Sequence, residues 1–140
     1  MKKFFMFLLV LSFIAHSACA VTYGIEVDTS QCNISLYEKT DFGWVKLDTR
    51  KCCVGTKNKT PTGITAIQRK KAYFIRDGKR YNYVTYFSSN CAFHSTAYID
   101  GEYDNNSLGH HRSNGCIRLN PKVARWIYRH CKVGTMVYIH

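Results

Sequence analysis

The chain has 140 residues and carries 20 lysines and arginines against 9 acidic residues, a formal net charge of +11. That length suits one compact domain with one core. The basic balance brings nucleic acid to mind, but the charges are scattered singly apart from clusters such as Arg69-Lys70-Lys71. No nucleic-acid footprint is expected, only a basic surface drawn to an anionic matrix.

Residues 1–20 read as a secretory signal peptide. Lys2 and Lys3 give a basic start, Phe4 to Ala15 form an apolar run broken by Ser12, and Ala18 and Ala20 take the small-residue places before a cleavage site. The apolar run is about a dozen residues, whereas a membrane span needs about 20. His16 stands where a lipid-anchor site before Cys19 wants a large aliphatic residue. Cleavage near Ala20 is therefore expected, leaving 21–140 as the exported domain, secreted or held in the periplasm or cell wall. Loss of Lys2 and Lys3 lowers the net charge by two.

From there the chain reads as short strands. Tyr23 to Val27 alternates, Ile34 to Tyr37 continues, and Trp44 to Leu47 follows a turn at Asp41-Phe42-Gly43. Tyr73 to Ile75, Tyr81 to Phe87 and Met136 to Ile139 complete the set. The breaks carry Asp77-Gly78, Asp100-Gly101 and Asp104-Asn105-Asn106. One helix stands out: Asn120 can cap it, Pro121 suits its first position, and Val123, Trp126, Ile127 and Cys131 share a face. Gly134 precedes the last strand. The fold class is mainly β, a single sandwich or barrel with one helix.

Cys32, Cys52, Cys53, Cys91, Cys116 and Cys131 follow the leader. Export permits disulfides, and six cysteines allow fifteen pairings, which the sequence leaves open. With one cysteine kept as a nucleophile, at most two bridges are expected. Metal is not expected: there is no C-x-x-C pair, and Cys52-Cys53 are neighbours that would face opposite sides of a strand.

The segment Ser113-Asn114-Gly115-Cys116-Ile117-Arg118-Leu119 is the most informative. A cysteine after glycine sits in a turn whose backbone approaches a ligand closely, and its N–H groups can face a developing oxyanion. Arg118 adds a field that favours the thiolate. On local pattern alone, a packed or bridged cysteine fits equally well. A nucleophilic thiol also needs a base. His94 ends the apolar run Cys91-Ala92-Phe93-His94, which would hold it rigidly. His110 and His111 follow Gly109 in a polar loop, His130 lies on the helix, and His140 is terminal. His94 leads.

His94-Ser95 followed by Ser113-x-Gly115-Cys116-Ile117-Arg118-Leu119 resembles the signature of the L,D-transpeptidases, the YkuD-domain enzymes that crosslink or trim bacterial peptidoglycan. Tyr23 to Tyr37 resembles the family's opening hairpin. Cys53-Val54-Gly55 with Thr60-Pro61-Thr62-Gly63, and Val133-Gly134-Thr135-Met136-Val137, resemble its other motifs in order. Two departures stand out: Asn114 occupies a usual histidine position, and the stretch from His94 to Ser113 is longer, with Asp100 to Asn106 able to absorb the excess.

The resemblance implies that His94 deprotonates Cys116, with the Ser95 region orienting the ring. Cys116 would then attack a stem tetrapeptide and expel D-alanine. Gly115 and Cys116 N–H groups would hold the oxyanion, helped by Tyr86, with Asn114 and Arg118 shaping the pocket. The partners implied are peptidoglycan stem peptides and the anionic wall; no cofactor is needed, and a monomer is expected. An L,D-carboxypeptidase of the same fold and a non-catalytic, cysteine-bridged wall-binding module are the alternatives. A papain-like protease places its cysteine before its histidine, the reverse of this order.

Overall fold

The computed structural model describes residues 20–140; the leader expected over residues 1–20 lies, apart from Ala20, outside them. The chain is mainly β with one helix. Strands β1 (Thr22–Asp28), β2 (Asn33–Thr40) and β3 (Gly43–Gly55) form an antiparallel meander. After a short turn come β4 (Gly63–Ala66), β5 (Arg69–Arg76), β6 (Lys79–Tyr86) and β7 (Ala92–Ser95). Then follow β8 (Ala97–Ile99), β9 (Glu102–Asp104), β10 (His111–Ser113), β11 (Ile117–Leu119), helix α1 (Pro121–His130) and β12 (Met136–Ile139).

The strands join in the order β4-β12-β1-β2-β3-β11-β7-β6-β8-β9, with β5 on β6 and β10 on β3. Strand β3 links the two halves. Its first part pairs with β2, while Cys52 and Cys53 pair with β11 and Val54 and Gly55 with β10. A register shift at Leu36/Tyr37 bends the β2–β3 ribbon.

Between the halves lies the core: Val27, Ile34, Val54, Ile67, Phe87, Phe93, Ile117, Leu119, Val137 and Ile139 are all 1% exposed or less. Helix α1 closes it with Val123, Ala124 and Ile127, packing on β6, β7 and β11. The Asn120 side chain accepts the Lys122 N–H at 3.0 Å, and Pro121 takes the first helical position, as the sequence predicts. The six cysteines among the described residues are free thiols.

Two turns follow from residue type. Asp77 and Gly78 have φ of 51° and 71°, and Asp100 and Gly101 have 49° and 89°. Positive φ at both central residues is the tight hairpin turn that Asp-Gly favours. The first joins β5 to β6, the second β8 to β9, and that second hairpin takes up much of the long His94–Ser113 stretch.

Candidate active site

Cys116 sits in the turn between β10 and β11, and His94 is the third residue of β7. Strands β7 and β11 are parallel neighbours, pairing Ile117 with Phe93 and Arg118 with His94. The single residue Cys116 before β11 is thereby brought to the side of β7 that carries His94. Both residues line one cleft of about 390 Å³, with Phe74, Arg76, Tyr81, Tyr86, Asn114 and Arg118 among its other walls.

The nucleophile turn is held from both sides. Gly115 has φ of +129°, and a Cβ there would lie 3.0 Å from both the Cys91 sulfur and the Lys59 carbonyl. Only glycine fits. The Ser113 hydroxyl donates to the Cys116 carbonyl and accepts the Gly115 N–H at 3.1 Å. The Thr60 hydroxyl donates to the Gly115 carbonyl at 3.0 Å and accepts the Gly55 N–H at 2.8 Å. Thr60 belongs to the Thr-Pro motif, and its place in the site is to fix this turn. The Gly115 N–H, expected to face an oxyanion, is thus engaged by Ser113, whereas the Cys116 N–H makes no hydrogen bond among the described residues.

His94 is 2% exposed. Its Nδ1–H donates to the Ser95 carbonyl at 2.7 Å. Because a carbonyl only accepts, the proton lies on Nδ1 and Nε2 keeps its lone pair. Phe74 and Tyr81 meet the imidazole edge-on, with ring centroids 5.1 and 5.0 Å away. Burial pushes His94 down to about 4; the Ser95 carbonyl opposes this, while Arg118 and Arg76 add to it. Burial likewise pushes the Cys116 thiol up, opposed by the Ala92 N–H, raised further by Cys91 and lowered by Arg76 and Arg118. Both directions favour the uncharged thiol–imidazole pair at rest.

The remaining candidates divide. Arg118 lines the cleft with its guanidinium 5.8 Å from the Tyr81 ring centroid. Tyr86 also lines it, under the Arg69 guanidinium at 3.4 Å. Asn114 stands exposed at the rim. The Ser95 side chain does not reach the cleft: its hydroxyl donates to the Thr96 carbonyl and accepts the Asn82 N–H. Its carbonyl is what touches His94. His111 lies on β10 beside a separate cavity with Pro61 and Thr62, and neither it nor His110 lines the cleft.

The sequence does not mark Arg76, Phe74 and Tyr81 as site residues. They arrive with the β5–β6 hairpin, which folds over the cleft. The alternation around Tyr81 marks it as inward-facing, but no local signal says which cleft it meets.

The family model of the L,D-transpeptidase catalytic domain (YkuD) matches residues 22–139. Among solved structures, a fused zinc-dependent amidase/peptidase/peptidoglycan-binding protein from Clostridium acetobutylicum aligns at 26% identity with a TM-score of 0.71, covering 85% of this chain and 52% of that one. An L,D-transpeptidase from Mycobacterium smegmatis aligns at 16% identity and TM-score 0.71, over 86% and 59%. L,D-transpeptidase 3 from Mycobacterium tuberculosis, solved with a faropenem-derived adduct, aligns at 19% identity and TM-score 0.69, over 86% and 60%. The chain therefore spans somewhat more than half the length of these proteins. No curated protein matches.

Proposed function

The chain belongs to the L,D-transpeptidase catalytic-domain family, and from that premise we propose that it is an exported acyltransferase acting on peptidoglycan stem tetrapeptides through a Cys116 thioester. One observation carries the reading: a buried histidine, its Nε2 free by virtue of the Nδ1–Ser95 bond, shares one cleft with a cysteine held in a glycine turn.

The reaction follows from that arrangement. The pair rests uncharged, so His94 acts as a general base as the thiol attacks rather than as half of a standing ion pair. Nε2 takes the Cys116 proton, and sulfur adds to the carbonyl of the third stem residue. The Cys116 N–H faces the oxyanion, Gly115 having given its own N–H to Ser113, with Tyr86 as a candidate second donor. Collapse expels D-alanine, whose amine takes the proton back from His94. An amine from a neighbouring stem then accepts the acyl group. Arg118 and Arg76 stabilise negative charge on sulfur and oxygen as it forms. The Asn114 side chain shapes the rim. A basic exported surface, left after the leader is removed near Ala20, would hold the enzyme close to the anionic wall.

Incubating protein 21–140 with tetrapeptide muropeptides and weighing the products tests this. Crosslinked dimers with released D-alanine are expected. Tripeptides alone would assign the L,D-carboxypeptidase reaction instead, and unchanged tetrapeptide would sink both.

A further inference from the structure

The mechanism above uses one thiol, yet the cleft contains two. Among the described residues, Cys91 is the other cysteine on its wall. It is 7% exposed, whereas Cys52, Cys53 and Cys131 are fully buried and Cys32 is 3% exposed, and none of these four lines the cleft. Cys91 ends a tight turn: its N–H donates to the Ser88 hydroxyl, and its carbonyl accepts the N–H groups of Phe87 and Ser88. Its backbone is thereby held in place.

That place is beside the nucleophile. The Cys91 sulfur would lie 3.0 Å from a Cβ built on Gly115, the residue preceding Cys116. The Cys116 sulfur lies 3.9 Å from the Asn90 carbonyl and is also met by the Ala92 N–H. Each sulfur therefore sits against the backbone that carries the other. The pairing of Ile117 with Phe93, carried back along both chains, sets Gly115 beside Cys91 and Cys116 beside Ala92. Cys91 and Cys116 are thus diagonal neighbours, and a strand spacing of about 4.8 Å with a rise of about 3.3 Å per residue puts their Cα atoms about 6 Å apart, within the about 4.4–6.8 Å that a disulfide spans. Both stand just outside the regular alternation of β7 and β11, which begin at Ala92 and Ile117, and both line the one cleft.

We propose that Cys91 is a resolving thiol that closes a reversible disulfide with Cys116 and so takes the nucleophile out of service under oxidising conditions. The inference rests on Cys116 being the reactive thiol of the cleft. The oxidant is a low-molecular-weight disulfide. It meets the half-buried Cys116 first: His94 accepts the thiol proton, sulfur attacks, and one oxidant half leaves as a thiol carrying that proton. The Cys91 thiol then attacks the Cys116 sulfur of the mixed disulfide from inside the cleft, and the second half leaves as a thiol. Two protein thiols are oxidised, one small disulfide is reduced to two thiols, and no other reactant is needed.

Reduced protein 21–140 is incubated with oxidised glutathione, mapped by mass spectrometry, and assayed for acylation by a carbapenem against its own reduced form. Expected are a mass lower by two hydrogens, a Cys91–Cys116 linked peptide, lost acylation, and recovery with dithiothreitol. Cys91→Ser should instead stop at a glutathionyl adduct on Cys116. The linked peptide in the parent decides the matter even where the variant folds poorly. A parent that stops at the adduct, links Cys116 to another cysteine, or stays unmodified would overturn the proposal. Acylation of the reduced parent separates the two readings: a linked peptide from a protein never acylated retains the disulfide and removes the transferase, and the opposite result does the reverse.

Discussion

The Thr60 hydroxyl donates to the Gly115 carbonyl at 3.0 Å while accepting the Gly55 N–H at 2.8 Å, so one buried oxygen ties the end of β3 to the nucleophile turn. Thr60→Val keeps the shape and removes both bonds, orphaning the Gly55 N–H. A loss of about 1–3 kcal/mol in chemical denaturation is expected, with slower acylation of Cys116, while Thr60→Ser stays near the parent. Equal behaviour of the two variants would show that the tether is unimportant.

Gly115→Ala adds a methyl where φ is +129° and where Cys91 and Lys59 each stand 3.0 Å away. The backbone conformation alone should cost about 1–3 kcal/mol. The variant should unfold earlier in denaturant and react slowly with a carbapenem. Parental behaviour in both assays would mean that the turn is far more pliant than its packing suggests.

Cys116→Ala should leave the fold intact and abolish D-alanine release, since no other thiol on the cleft wall follows a glycine turn. His94→Ala should slow acylation by about 10²–10⁴-fold, the usual loss for a general base. His110→Ala and His111→Ala should change it little, as neither residue lines the cleft. Acylation rates across the four variants rank them, and damage from His111→Ala equal to that from His94→Ala would reassign the base.

Burial pushes His94 down to about 4 from the usual 6.5 of a histidine, with two consequences. In activity, Nε2 stays unprotonated through mild acid, so kcat/KM should fall only as pH drops toward about 4. In stability, the unfolded chain binds a proton on this residue between about 6.5 and 4 that the folded chain refuses. The contribution is therefore full above about 6.5 and is lost progressively as pH falls, by about 3 kcal/mol at the lower end. Denaturation of His94→Gln should show a flatter pH dependence over that window. Identical slopes would refute the buried neutral histidine.

Asn114→His restores the residue that the family pattern carries beside the nucleophile. If Asn114 merely substitutes for it, the variant should match or exceed the parent in acylation by both carbapenem and tetrapeptide. If Asn114 marks a pocket fitted to another stem or acceptor, tetrapeptide turnover should fall while carbapenem still acylates. The ratio of the two rates discriminates.

Features set by local chemistry were legible in the sequence. The Asn120 cap, Pro121 at the first helical position and both Asp-Gly turns stand where the residues predict. The sequence pattern predicts only Trp44 to Leu47 of strand β3, which runs Gly43–Gly55. Its middle is exposed, so Asp48, Thr49, Arg50 and Lys51 show no apolar alternation to read. In β5 the apolar residues mislead: Tyr73 and Ile75 face solvent at 41% and 66% exposure, while Phe74 turns inward onto His94. The rigid apolar run ending at His94 points to it ahead of the other histidines as the base for Cys116, and the family resemblance points to the same pair. Arg76 could not be placed at all, since its position depends on how an entire hairpin packs.

The parallel pairing of β7 with β11 has a consequence for how such a chain can change over time. The separation of base and nucleophile is set by the pitch of a sheet, not by the length of polypeptide that joins them. The connection from Thr96 to Cys116 leaves β7 and returns to its neighbour β11, and a small hairpin can grow within it without moving either end. The β8–β9 hairpin, none of whose residues lines the cleft, can therefore be lengthened or trimmed while the two reacting atoms stay in register.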